Sequence, residues 1–174
     1  MDGNLHRRDL LKLFTAAAFG TTLQLPAAEP GTPLFFTKEE FALLDKLTDL
    51  IIPADEHSPG AHDAAVAAFI DKTVAEAFLP EDKTSWQKGL AAVNQLSTAT
   101  SQKPFLETTP QEQVALLMNL AANEEKPQTE AEKFFTQLKE TTAFAYYSSS
   151  IGIHNDMGYL GNVILDKFAG YEAT

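Results

Sequence analysis

The chain has 174 residues with 13 basic and 24 acidic side chains, a formal charge of −11. That surplus of carboxylates argues against charge-driven binding to nucleic acid or to an anionic membrane surface. With no cysteine there can be no disulfide, thiolate zinc site, cysteine-ligated iron–sulfur cluster or covalently attached haem. The length suits one domain with a real apolar core.

The first 28 residues read as an export leader. Arg7 and Arg8 form a charged head, an apolar run follows from Leu10 to Leu25, and small residues close it at Ala27 and Ala28. The arginine pair followed by Asp9, Leu10 and Leu11 resembles a twin-arginine (Tat) signal, the address of proteins exported already folded. The run is too short and too rich in Ala, Thr and Gly for a membrane span. This leader holds three of the basic and two of the acidic residues, so the remainder carries 10 basic against 22 acidic, net −12. Residues 29–36 read as a linker because "EPGTP" resists regular structure. Residues 37–174 form the expected helical domain.

The first helix opens at a capping box, Thr37 with Glu40, carries Phe41, Leu44, Leu47 and Ile51 at helical spacing, and stops at Pro53. A second is predicted from about Asp63 to Phe78 with Val66, Phe69, Ile70 and Val74 inward. A third runs from about Asp82 to Leu96 on Trp86, Leu90, Val93 and Leu96. The fourth starts at Thr109, boxed by Glu112 with Pro110 at the first helical position, and carries Val114, Leu117 and Leu120. The fifth starts at Thr129, boxed by Glu132, with Phe134, Phe135, Leu138 and Phe144 behind it. No segment alternates like a strand, so the fold class is all-α: a compact bundle of about five helices with long connections. After Ser148 the helical period is lost, and an irregular C-terminal segment is expected.

Few groups offer chemistry. Asp55, Glu56 and His57 are adjacent and could in principle serve a hydrolase or a metal enzyme, but adjacent residues rarely converge on one ion, and a turn between Pro53 and Pro59 accounts for them more simply. Ser148, Ser149 and Ser150 lack the Gly-x-Ser-x-Gly setting of a nucleophile, and no glycine-rich nucleotide loop is present. No catalytic, cofactor-binding or metal residue is therefore assigned in this chain. Tyr146, Tyr147 and Tyr159, interleaved with Gly152, Gly158 and Gly161, suit either a protein contact or a tail folded back on its own bundle. A solitary helical binding domain is a further reading.

"LTDLIIPADEHSPGA" (47–61) with "VAAFID" (66–71), and "AYYSSSIGIHNDMGYLGN" (145–162), resemble the opening and closing blocks of the gluconate 2-dehydrogenase subunit 3 family. Ser150 and Met157 depart from the pattern, where an acidic residue and leucine are expected. The resemblance implies a non-catalytic small subunit of a periplasmic sugar or glycoside dehydrogenase, glucoside 3-dehydrogenase systems among them. Its partner would be a large FAD subunit of the glucose–methanol–choline (GMC) oxidoreductase type, with a cytochrome c often taking the electrons. FAD is then expected in the partner and no cofactor here. The small subunit would aid folding and carry the pair through the Tat route. The residues implied at or shaping the interface are Tyr146, Tyr147, Ile151, Gly152, Tyr159, Gly161 and Asn162, with Pro53, His57, Ser58, Pro59 and Gly60 as a rigid loop.

Overall fold

A computed structural model describes residues 32–161. The leader with Arg7 and Arg8, and Asn162, lie outside the described residues. The chain divides into two units after Thr32; the second, from Pro33, is the domain described below.

Five α-helices build it: α1 Lys38–Ile51, α2 Val66–Glu76, α3 Pro80–Ser101, α4 Pro110–Ala121 and α5 Glu130–Tyr147. Among the described residues there is no strand. The three capping boxes form as expected. Thr37 Oγ1 accepts from Glu40 N while Glu40 accepts from Thr37 N, and the same exchange joins Thr109 to Glu112 and Thr129 to Glu132. Each box satisfies two amides that a helix start otherwise leaves open. Glu132 does more than cap. Its carboxylate also accepts from Gln128 N at 2.8 Å and Asn123 Nδ2 at 2.6 Å, and these bonds, led by those from Thr129 and Gln128, hold its pKa down to about 2.

The central helix is α5, which packs against all four others. Its buried side is Ala131, Phe134, Phe135, Leu138, Thr142, Ala145 and Tyr146. Phe36, Trp86 and Phe134 meet edge to face, with centroids 6.4 and 5.5 Å apart. Phe134 fits because α3 offers Gly89: a Cβ there would fall on the Phe134 ring. Trp86, Leu90 and Val93 of α3, Ile70 and Val74 of α2, and Leu44 and Leu47 of α1 complete the core. Each such side chain contributes about 2 kcal/mol by leaving water.

The structure departs from the sequence reading in several places, among them the start of α2, which is Val66 rather than about Asp63 because Ala65 before it is left-handed. Helix α3 runs five residues further, to Ser101, and is closed by Gln102 in the left-handed region (φ 60°). Phe69, Val114 and Phe144 share the helical spacing of the core residues yet face outward. An apolar stripe can be wider than the arc a neighbouring helix covers, and spacing alone does not say which edge is covered. In α4 the buried side is Gln113, Leu116, Leu117 and Leu120. Gln113 goes inward because its Nε2 donates to the Phe105 and Thr108 carbonyls of the 3-10 turn Phe105–Glu107.

The segment after Ser148 is also more regular than expected, since Gly152–Asp156 make a π-helical turn. Finally, the expected linker 29–36 is not free to its end. Leu34, Phe35 and Phe36 donate their backbone N–H groups to Asp71 of α2, and Phe36 is buried.

Gly89→Ala should lower stability by about 2 kcal/mol despite alanine's better helix propensity, because the methyl displaces a buried ring. A higher melting temperature for this variant would contradict the packing described.

Candidate functional site, a docking face around the C-terminal hook

The two blocks singled out in the sequence, 47–61 and 145–162, meet in space. Between α1 and α2 the chain reverses on itself: Ala61 N donates to Ile52 O at 2.8 Å and Asp55 N to Ser58 O at 3.0 Å. Gly60 lies against the backbone of Ile52, Pro53 and Ala54, leaving no room for a Cβ. Asp55 Oδ1 accepts from His57 N and Ser58 N, both at 2.8 Å. Those two amides, Ser58 first, pull the Asp55 carboxyl below its ordinary range.

Tyr146, at the end of α5, closes onto this loop. Its ring is 1% exposed. Its hydroxyl donates to the Pro59 carbonyl at 2.6 Å and lies 2.6 Å from Ser58 Oγ. A phenol has one proton, so with Pro59 O accepting it, Ser58 Oγ–H is the donor to Tyr146.

Past Tyr147 the chain turns into a hook. Ser149 Oγ donates to Tyr146 O at 2.6 Å and accepts from Gly152 N at 3.0 Å. Gly152 rests on the Tyr146 carbonyl, where any Cβ would collide. The π-turn follows, with Met157 N donating to Gly152 O at 2.9 Å and Tyr159 N to Ile153 O at 3.0 Å. His154 Nδ1 lies 2.8 Å from Tyr159 O, and a carbonyl only accepts, so this nitrogen carries the proton. The Tyr147 hydroxyl bonds to Asp156, whose negative charge pushes the phenol pKa above its usual value. Gly161 takes a φ of 99°, open to glycine but strained for other residues.

Seen from outside, the hook presents Tyr147, Met157, Tyr159 and Leu160 around an open concavity of about 690 Å³, and Leu160 is 92% exposed. The apolar surface continues along α5. Phe144, 66% exposed, stands one turn before Tyr147 and meets Phe69 of α2 with centroids 6.3 Å apart. Phe69, Phe144, Tyr147, Met157, Tyr159 and Leu160 are the exposed apolar side chains of this region, and His154 and Asp156 stand exposed among the hook residues.

The expected interface residues divide by depth. Tyr146, Ser58, Gly60 and Gly152 are buried and shape the surface from below. Ile151, Pro59 and Gly161 are half-buried, while Tyr147, Tyr159, Pro53 and His57 are exposed. Phe69 and Phe144 were not singled out from sequence, since nothing in their spacing separates them from core residues. Asp55, Glu56 and His57 do not assemble a reacting centre. His57 Nε2 and Glu56 Oε1 form an exposed pair at 3.3 Å, while Asp55 turns to its own loop. Among the described residues no group of three His, Asp or Glu could hold a metal ion.

Fold and site together define a small all-α domain whose prominent surface feature is an aromatic face built on a bonded tail. Residues 38–162 match the family described as gluconate 2-dehydrogenase subunit 3, and the chain belongs to that family. No curated protein matches it, and neither does any solved structure.

Tyr146→Phe should cost about 1 kcal/mol, because Ser58 Oγ and Pro59 O lose the phenol and keep only their 3.4 Å bond to each other. Amide exchange in residues 53–61 should rise with it; an unchanged loop would show that the two blocks are not coupled through this hydroxyl. A second expectation concerns pH. His62 Nδ1 lies 2.8 Å from Asp45 Oδ2, and that bond raises the His62 pKa above 6.5. A raised histidine stabilises the fold fully below the unfolded value, and the contribution fades as pH climbs through the folded one. The pair is exposed, so the effect is about 0.5 kcal/mol. Urea midpoints of wild type and His62→Gln should differ near pH 6 and converge near pH 9.

Proposed function

We propose that this chain is the non-catalytic accessory subunit of a periplasmic FAD-dependent sugar or glycoside dehydrogenase. It binds a large flavoprotein subunit of the GMC type through the face formed by Phe69, Phe144, Tyr147 and the hook. The observation that carries this reading is that exposed aromatic line, on a chain that belongs to a family of dehydrogenase subunits. On a protein of net charge −11, exposed aromatic side chains in a row are suited to apolar contact. Aromatic side chains are enriched where such contacts form. Each one buried against a partner contributes roughly 1–3 kcal/mol.

Binding is sufficient for the role. A subunit that holds only the folded form of its partner stabilises it by mass action, about 4 kcal/mol at a thousandfold excess over Kd. FAD belongs to the large subunit on this reading, and a cytochrome c receives the electrons. The leader with Arg7 and Arg8 supplies the Tat address, so the flavin is inserted before export and the pair crosses folded. No helix among the described residues is long and apolar enough to cross a membrane, which is compatible with a domain that reaches the periplasm through its leader.

Two experiments test this. Phe144→Ala with Tyr147→Ala should reduce co-purification of the co-expressed flavoprotein at least tenfold while helicity is retained, a loss near 1.4 kcal/mol or more. Undiminished recovery of a flavin-loaded partner would overturn the assigned face, and its solubility without this chain would overturn the accessory role. Arg7→Lys with Arg8→Lys should leave both subunits in the cytoplasm; normal export of both would refute the Tat assignment.

A further inference from the structure

Asp71 is a carboxylate 2% exposed on α2, and no cation lies within ion-pair distance of it among the described residues. Its partners are three successive backbone amides ahead of α1. Leu34 N donates to Oδ2 at 2.5 Å, and Phe35 N and Phe36 N both donate to Oδ1 at 3.0 Å. Lys83, in the first turn of α3, donates to Ala75 O at 2.8 Å and covers the Phe35 ring at 5.9 Å. A second attachment is the Phe36 ring, buried against Trp86 of α3, which in turn abuts Phe134 of α5. Leu34 itself is exposed. The segment is therefore held by one carboxylate, the buried Phe36 ring and the half-buried Phe35 ring beneath Lys83.

We propose that residues 34–36 are a strap latched by Asp71, which opens and closes as a unit while the five-helix bundle stays folded. Two physical reasons support independent, all-or-none motion. A buried carboxylate that loses one amide is left under-solvated, so the three bonds hold or break together. The strap has no helical bonds of its own, and such segments occupy the low end of local stability. Closed, residues 34–36 lie on the bundle; open, the bundle begins at the Thr37 cap.

The seat consists of α2 and α3, with Trp86 of α3 backed by Phe134 of α5, so the strap closes on helices that have already assembled. This inference concerns the domain alone and stands whether or not the proposed partner is correct. If the leader is an export address, the latch ties order at its root to completion of the fold.

Hydrogen exchange on the full chain, followed by NMR, tests the latch. In wild type the amides of Leu34, Phe35 and Phe36 should exchange at least tenfold faster than Leu138 in α5, yet slower than free chain. Asp71→Ala should speed all three at least tenfold more with unchanged helicity. Asp71→Asn keeps one oxygen but turns an NH₂ toward the remaining N–H, so it should speed all three amides together, by less than Asp71→Ala does. Phe36→Ala should release the three amides together with α5 intact.

Exchange of residues 34–36 at the rate of Leu138 in wild type would overturn the proposal, since the strap would then open only with the whole bundle. So would loss of helicity in Asp71→Ala, or unaltered exchange in both Asp71→Ala and Phe36→Ala.

Discussion

One hydroxyl ties together the two parts of this molecule that are far apart in sequence. Tyr146 ends the central helix, and its phenol proton goes to Pro59 O while Ser58 Oγ–H returns a bond to the same oxygen. The loop that reverses α1 into α2 is thereby fastened to the last turn of α5. Everything downstream takes its direction from that turn. Ser149 and Gly152 fold against the Tyr146 carbonyl, the π-turn follows, and Tyr147 is left standing outward on the next position of the helix. Adjacent tyrosines thus have opposite fates, one a buried clasp and the other part of the surface that a partner would meet.

Charge and apolarity are separated on this surface in a way that suits binding. Acidic side chains cap helices, and several are held by backbone amides rather than by cations, Glu132 and Asp55 among them. Such carboxylates stabilise the fold at neutral pH without needing a counter-ion. The face from Phe69 through Phe144 to the hook is chiefly aromatic and aliphatic, with the exposed carboxylate of Asp156 held by the Tyr147 hydroxyl. A family of dehydrogenase subunits is a natural setting for a domain that combines a rigid interior with an apolar face.

Much of the architecture was legible beforehand because its signals are local. Thr37 with Glu40, Thr109 with Glu112 and Thr129 with Glu132 are three residues apart, and that spacing alone brings side chain to backbone amide at a helix start. The all-α class followed equally from periodicity. Burial was less legible at the edges of each stripe. Phe69, Val114 and Phe144 look like core and are exposed, whereas Gln113 looks like surface and is buried on two carbonyls. In the candidate site, Tyr146 and Tyr147 could not be told apart, and Phe144 carried no sign of its position.

From its sequence alone this protein was determined to be a helical domain without cysteine chemistry, with the three capped helix starts and its two characteristic blocks in order. Those properties depend on residues within a turn or two of one another, where chain geometry leaves little choice. Tertiary structure decided which tyrosine is core, which aromatics form the outer face, and that Asp71 reaches back across 35 residues to hold the backbone of Phe36. Contacts of that separation depend on how the helices cross and which edge of each is covered, and no local pattern encodes that choice.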